Sequence, residues 1–150
     1  MKHFIRLLFT VAPFIYMGLI WYLSSHPDDK VIALENEWLD RWFKESLHLV
    51  EFGLLYLMFI AALLVNRRLT VTAHILAAIV ASFYGFIDEI HQAFVPYRSA
   101  SIIDAAKDLT GVAFSFWFVS RFYFKNPRSW FGKKMQSFAS WMEENKERVT

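Results

Sequence analysis

The sequence predicts an all-α, polytopic membrane protein: four transmembrane helices, both termini cytoplasmic, and amphipathic interfacial helices in the first external loop and the C-terminal tail. Three observations carry this prediction. Of the 150 residues, 56% are hydrophobic and 19% aromatic, too apolar a chain for an ordinary soluble domain of this length. Four apolar windows approach the roughly 20 residues that a spanning helix needs, and barrel strands would be half as long and would alternate. The cations, finally, gather at one set of helix ends and the acids at the other.

The first window, near Phe4 to Leu23, follows Lys2 and Arg6. It resembles a signal peptide, but the residues after it are Ser24-Ser25-His26-Pro27, with no small-residue cleavage site, so an uncleaved helix is expected. A turn at His26-Pro27-Asp28-Asp29 opens the first connection, since proline pushes its predecessor out of helical geometry. Val31, Leu34, Trp38 and Trp42 then recur at helical spacing, with Glu35, Glu37 and Asp40 between them, as in a helix lying in the headgroup layer.

The second window runs near Leu47 to Val65, the third near Leu69 to Ile90, and the fourth near Ile102 to Phe124. Pro96 sets a turn between the last two, and Ser99 or Ser101 is placed to cap the fourth helix. In the tail, Phe131, Met135, Phe138 and Met142 form an apolar stripe beside Lys133, Lys134 and Lys146, suited to anionic inner-leaflet lipid. This divides the chain into a four-helix transmembrane domain, 1–128, and a cytoplasmic amphipathic tail, 129–150.

The net charge is only +2, but Lys2, Arg6, Arg67, Arg68, Arg121, Lys125 and Arg128 all fall on one side of a four-span chain. By the positive-inside rule that side is cytoplasmic. Glu51, Asp88, Glu89, His91, Asp104 and Asp108 then lie at the outer ends. Ionisable groups near hydrocarbon are costly, so their convergence at one depth reads as a working site.

Residues three or four apart share a helix face. His48 and Glu51, Asp88 and His91, and Asp104 and Asp108 are so related, one pair on each of the last three helices. Asp108 sits about 6 Å deeper than Asp104 at the α-helical rise of about 1.5 Å per residue, and its short stem cannot reach water. Arg98, in the connection beside them, suits a carboxylate from within or a phosphate from outside. A divalent cation (Mg²⁺, Mn²⁺ or Zn²⁺) fits carboxylates plus histidine, but there is no H-E-x-x-H, and His48-x-x-Glu51 reverses the di-iron order, so the sequence names no metal site. Without cysteine, thiolate chemistry and disulfides are excluded.

The run Asp88-Glu89-Ile90-His91-Gln92-Ala93-Phe94-Val95-Pro96-Tyr97-Arg98-Ser99, followed by Asp104, Asp108 and Gly111, resembles the VanZ-like family of small bacterial membrane proteins. Ser24-Ser25 after the first window, and Lys44 with His48 before the second, match it too. The resemblance implies a four-helix fold in the bacterial plasma membrane and a link to glycopeptide, specifically teicoplanin, susceptibility. It implies family-pattern roles for Lys44, His48, Asp88, Glu89, Gln92, Arg98 and Asp104. Two departures stand out: Tyr97 where glycine is usual, and Asp108 where asparagine is usual, so any titration of Asp108 is particular to this chain.

Three functions follow as expectations. An enzyme at the outer leaflet would use Arg98, Gln92, Lys44, Asp108 and His91 to hold a lipid-linked cell-wall precursor, and Asp88, Glu89, Asp104, Glu51 or His48 as acid or base. A binding or shielding protein would hold the same ligand unchanged. A proton-coupled transporter ranks behind both, because the acids crowd one end. The expected partner is membrane lipid, not nucleic acid; the oligomeric state is left open.

Overall fold

The computed structural model describes residues 2–26, 37–96, 98 and 101–143. Among these, every regular element is helical: α1 (Lys2–Ser24), α2 (Glu37–Val65), α3 (Val71–Gln92), α4 (Ile102–Val119), a π-helical segment (Ser120–Lys125) and α5 (Trp130–Glu143). The first two windows fall within α1 and α2, the third begins two residues before α3 and ends inside it, and the fourth runs from α4 into the π-helical segment. Val31 and Leu34 lie outside the described residues. Trp38 and Trp42 belong to α2, which runs without a break from Glu37 into the second window, so part of the expected separate loop helix is the leading end of a longer one.

Among the described residues, α1 and α3 are the two helices both long and apolar enough to cross a membrane. The apolar part of α2 is the shorter stretch Leu49–Val65, and α4 carries Asp104, Lys107 and Asp108 in its first two turns.

The distribution of side chains is inverted relative to a water-soluble bundle. Phe4, Phe14 and Ile15 on α1, Phe83 and Ile79 on α3, and Phe114 on α4 are more than half exposed. His74, Asp88, Glu89, Gln92, Asp108 and Ser115 are buried. Apolar surface facing out on several helices, with polar groups turned inward, is what hydrocarbon solvent requires and what water penalises.

Helix α2 is the hub: it packs against α1, α3, α4 and α5, and its Phe52, Leu55, Tyr56, Ile60 and Leu64 form much of the core with Ile20, Ala77, Ala81, Val112 and Val119. It lies closest to α4. Gly53 and Gly111 face each other at that crossing with Ser115 beside them, and a Cβ on Gly53 would come within 2.8 Å of the Gly111 carbonyl oxygen. Small residues let two helices approach this closely in lipid, where dispersion rather than the hydrophobic effect drives association.

At the other end of the bundle, the α5 stripe is turned partly into the protein. Met142 is buried, the Phe9 and Phe138 rings meet edge to face at 5.7 Å, the Lys2 ammonium donates to the Trp141 carbonyl, and Arg6 donates to the carbonyls of Val65 and Met142. In this half, Tyr56 and His74 Nδ1 are 2.5 Å apart, and the imidazole stacks on Phe116 with centroids 4.1 Å apart. Tyr56→Phe removes that hydrogen-bond partner without changing the ring. A buried polar group left unsatisfied costs about 1 to 3 kcal/mol, so unfolding in detergent should shift by that amount.

Candidate functional site: a polar cluster where α1, α3 and α4 meet

The last turn of α3 places Asp88 and Gln92 four residues apart on one face, and Gln92 Nε2 donates to Asp88 Oδ2 at 2.7 Å. The other carboxylate oxygen, Oδ1, is 2.6 Å from Ser24 Oγ, at the end of α1. Ser24 Oγ is also 2.7 Å from the Ile20 carbonyl, so one hydroxyl is held between two acceptors. All three side chains are buried, Asp88 at 1% exposure. A carboxylate this far from water is costly unless its oxygens are engaged, and these are.

Glu89 points toward α4. Its Oε2 accepts the Ser101 backbone N–H at 3.1 Å, and Ser101 in turn caps α4 by accepting from Ile103 N at 3.1 Å. The carboxylate thus ties the end of α3 to the start of α4, where the helix dipole favours negative charge. Of the two serines the sequence offered as caps, Ser101 fills the position.

Arg98 brings its guanidinium to the same place from the connection, with Nη1 donating to the Ser24 carbonyl at 3.4 Å. A cation therefore hangs over the α1 terminus whose hydroxyl holds Asp88. Deeper in, Asp108 is buried at 2% exposure, and a Cβ at Gly85 would sit 3.4 Å from its Cβ. Gly85 lies three and four residues before Asp88 and Glu89, on the face of α3 that carries them. Glu51 is half-buried on α2 and close enough to Tyr16 and Tyr84 to act on both electrostatically, as Asp88 does on Tyr84. Tyr84 anchors to the Met17 carbonyl at 2.7 Å.

Two predicted members play more local parts. His91 is bound within the protein: Nε2 is 2.9 Å from Ser25 Oγ, and its ring stacks on Trp21 with centroids 3.8 Å apart. Asp104 pairs with Lys107 at 2.8 Å on a partly exposed face of α4. Lys107 is adjacent to Asp108 in sequence, and adjacent residues diverge by about 100° around a helix. The i, i+3 relation to Asp104 is the one the helix satisfies. Lys44 and His48 lie in α2, and their side chains fall outside what is described. Among the described residues, no three carboxylate or imidazole groups converge closely enough to hold a metal ion.

The cluster therefore differs in one respect from three helix tips meeting. The end of α1 supplies the central contacts, through Ser24, Ser25 and Trp21. The doublet Ser24-Ser25 was visible in the sequence, but no periodicity argument links it to Asp88, 64 residues away.

A family model described as VanZ/LLP1 matches residues 3–123, which takes in every residue of this cluster and ends before α5. No curated protein and no solved structure matches the chain.

Proposed function

Because the chain belongs to the VanZ/LLP1 family, we infer that it is a multi-pass protein of the bacterial plasma membrane whose polar cluster recognises a phosphate-bearing, lipid-linked component of the cell envelope at the outer leaflet. In this reading α2 and α4 cross the bilayer beside α1 and α3. The cations Lys2, Arg6, Arg67, Arg68, Arg121 and Lys125 share the opposite end of the bundle from Asp88, which supports two cytoplasmic termini and an outward-facing cluster. Residues 1–128 form the transmembrane domain and 129–150 the cytoplasmic tail, whose α5 lies against the inner end of the bundle.

The observation that carries the reading is Arg98 poised at the α1 terminus beside a buried, internally held Asp88. A guanidinium matches phosphate in shape and charge, and the carboxylate network fixes the surface from which it reaches. Both Asp88 oxygens are engaged by protein donors, which favours positioning over proton abstraction and so favours recognition over catalysis.

Purified protein in nanodiscs, titrated with a polyprenyl phosphate, tests this. Arg98→Ala should weaken binding at least tenfold, the equivalent of about 1.4 kcal/mol. Cells carrying that variant should lose whatever protection against teicoplanin the wild-type chain confers. A chemically altered lipid in the mass spectrum would convert the binder into an enzyme. Unchanged affinity and unchanged susceptibility in Arg98→Ala would end the proposal.

A further inference from the structure

The roll of α5 about its own axis is fixed at both ends. In its first turn, Gly132 lies so near the preceding backbone that a Cβ would come within 2.5 Å of the Phe122 carbonyl oxygen and 2.7 Å of that of Pro127. In its last turn, Lys2 donates to the Trp141 carbonyl and Arg6 to that of Met142, cations set where the negative end of the helix dipole favours them. Met135 and Ala139 therefore pack on the core, Phe138 meets Phe9, and Met142 is buried.

What remains outside is not polar throughout. Trp130, Lys134, Ser137 and Trp141 stand at i, i+4, i+7 and i+11, in one line along the helix. Trp130 is 67% exposed and Trp141 42%. A cation accompanies each indole: Lys134 Nζ lies 5.8 Å from the Trp130 ring centroid and Lys2 Nζ 5.0 Å from that of Trp141. Lys133, Gln136 and Ser140 form the next face round, exposed and polar. An indole is apolar except for one N–H, so water penalises two of them held outside, while a lipid headgroup layer satisfies both parts.

Charge points the same way. Arg121, Lys125 and Arg128 are exposed in the segment leading to α5, and Lys133 and Lys134 are exposed on it. All five come before the tail's acids, Glu143, Glu144 and Glu147. The line from Trp130 to Trp141 is about 16 Å long at about 1.5 Å per residue and one side chain wide, far short of the roughly 800 Å² per partner of a standard protein interface. A bilayer surface needs no such area, because indoles entering the headgroup boundary and ammonium groups meeting phosphate act additively.

We propose that the Trp130, Lys134 and Trp141 edge of α5 docks on anionic lipid headgroups, the bundle end and the capping by Lys2 and Arg6 aiming it there. The edge is a different one from the Phe131, Met135, Phe138 and Met142 stripe that the sequence offers to lipid, most of which the bundle occupies. It shares with the outer-leaflet reading the placement of the bundle in a membrane and none of that cluster's residues, and it lies beyond residue 123, where the family match ends.

The chain has no cysteine, so Ser137→Cys puts a single nitroxide on the edge and Ser140→Cys puts one on the polar face beside it. In nanodiscs of phosphatidylglycerol mixed with phosphatidylcholine, the ratio of collisions with oxygen to collisions with a water-soluble nickel chelate should be about fivefold higher at position 137 than at 140. In phosphatidylcholine alone that difference should fall by about half or more, and Lys133→Gln combined with Lys134→Gln should lower it equally in the mixed lipid. Equal ratios at the two positions in the mixed lipid overturn the proposal, as does the same difference in both lipids. Dipolar broadening between labels at position 137 would seat a second copy of the chain on the edge and overturn it as well. Arg98→Ala, which should weaken outer-leaflet binding, should leave both labels unchanged, so failure here and failure of that reading are distinguishable.

Discussion

Gly111→Ala is expected to lower stability by about 3 kcal/mol, at the top of the range for overpacking a well-packed core. The methyl group would run into the Leu49 carbonyl oxygen, a backbone atom that no rotamer change can move aside. Relief requires α4 to withdraw from α2, which would loosen the glycine pair Gly53 and Gly111 and the Ser115 contact beside it. Because α2 is the hub of the core, the loss should be global rather than local. Gly18→Ala is the matched control: it lies within α1 with nothing within 4 Å of an added Cβ, and replacing a mid-helix glycine should stabilise by about 0.5 to 1 kcal/mol. Reversible unfolding in mixed micelles, followed by tryptophan fluorescence, reads both. If Gly111→Ala and Gly18→Ala shift the midpoint equally, the α2 to α4 crossing is not as close as described.

The second large effect concerns Asp88 and separates its structural from its functional part. In Asp88→Ala, the Ser24 hydroxyl can still bond the Ile20 carbonyl 2.7 Å away, but Gln92 Nε2 loses its acceptor in a buried position. An orphaned donor of this kind costs about 1 to 3 kcal/mol. In Asp88→Asn, the amide oxygen can accept from Gln92, and the amide nitrogen can donate to Ser24 Oγ, whose hydrogen then goes to Ile20. Ser24 and Gln92 both keep a partner, so stability should hold to within about 1 kcal/mol. What Asn cannot supply is a carboxylate beside the α1 terminus that Arg98 reaches. Lipid-phosphate binding and teicoplanin susceptibility should therefore change in both variants, while the unfolding midpoint moves only in Asp88→Ala. If Asp88→Asn is as stable as the wild type and functions like it, Asp88 is a packing residue and the outer-leaflet proposal loses its centre.

Much of this arrangement was legible from the residues. The run from Asp88 to Ser99 marked the end of α3 and the start of α4, because acids, histidine and proline cannot continue an apolar span. The i, i+4 spacing of Asp88 and Gln92 appears directly as a hydrogen bond. Ser101 as the α4 cap follows from the same local chemistry. Less legible was the role of α1. Ser24, Ser25 and Trp21 reach Asp88 and His91 only because α1 packs beside the end of α3, a relation that no spacing encodes.

Charge spacing also proved ambiguous where two solutions were possible. Asp104 and Asp108 share a face in principle, yet Asp104 meets Lys107 at a partly exposed edge while Asp108 turns into the interior against Gly85. The tail shows the same limit. Its apolar stripe announced an amphipathic helix, and whether that stripe meets lipid or protein depends on what lies opposite. Part of it meets Phe9 and the N-terminal turns, which buries Met142.

The sequence by itself determined that this chain is helical, apolar on its outside and interrupted by acids at one end, because periodicity, run length and the cost of charge in hydrocarbon are local properties. Only the tertiary structure decided which acid each donor serves, that the first helix closes the polar cluster, and that part of the α5 stripe meets Phe9 and buries Met142. Those outcomes depend on distances between residues far apart in the chain, set by how closely the helix backbones can approach at Gly53 and Gly111.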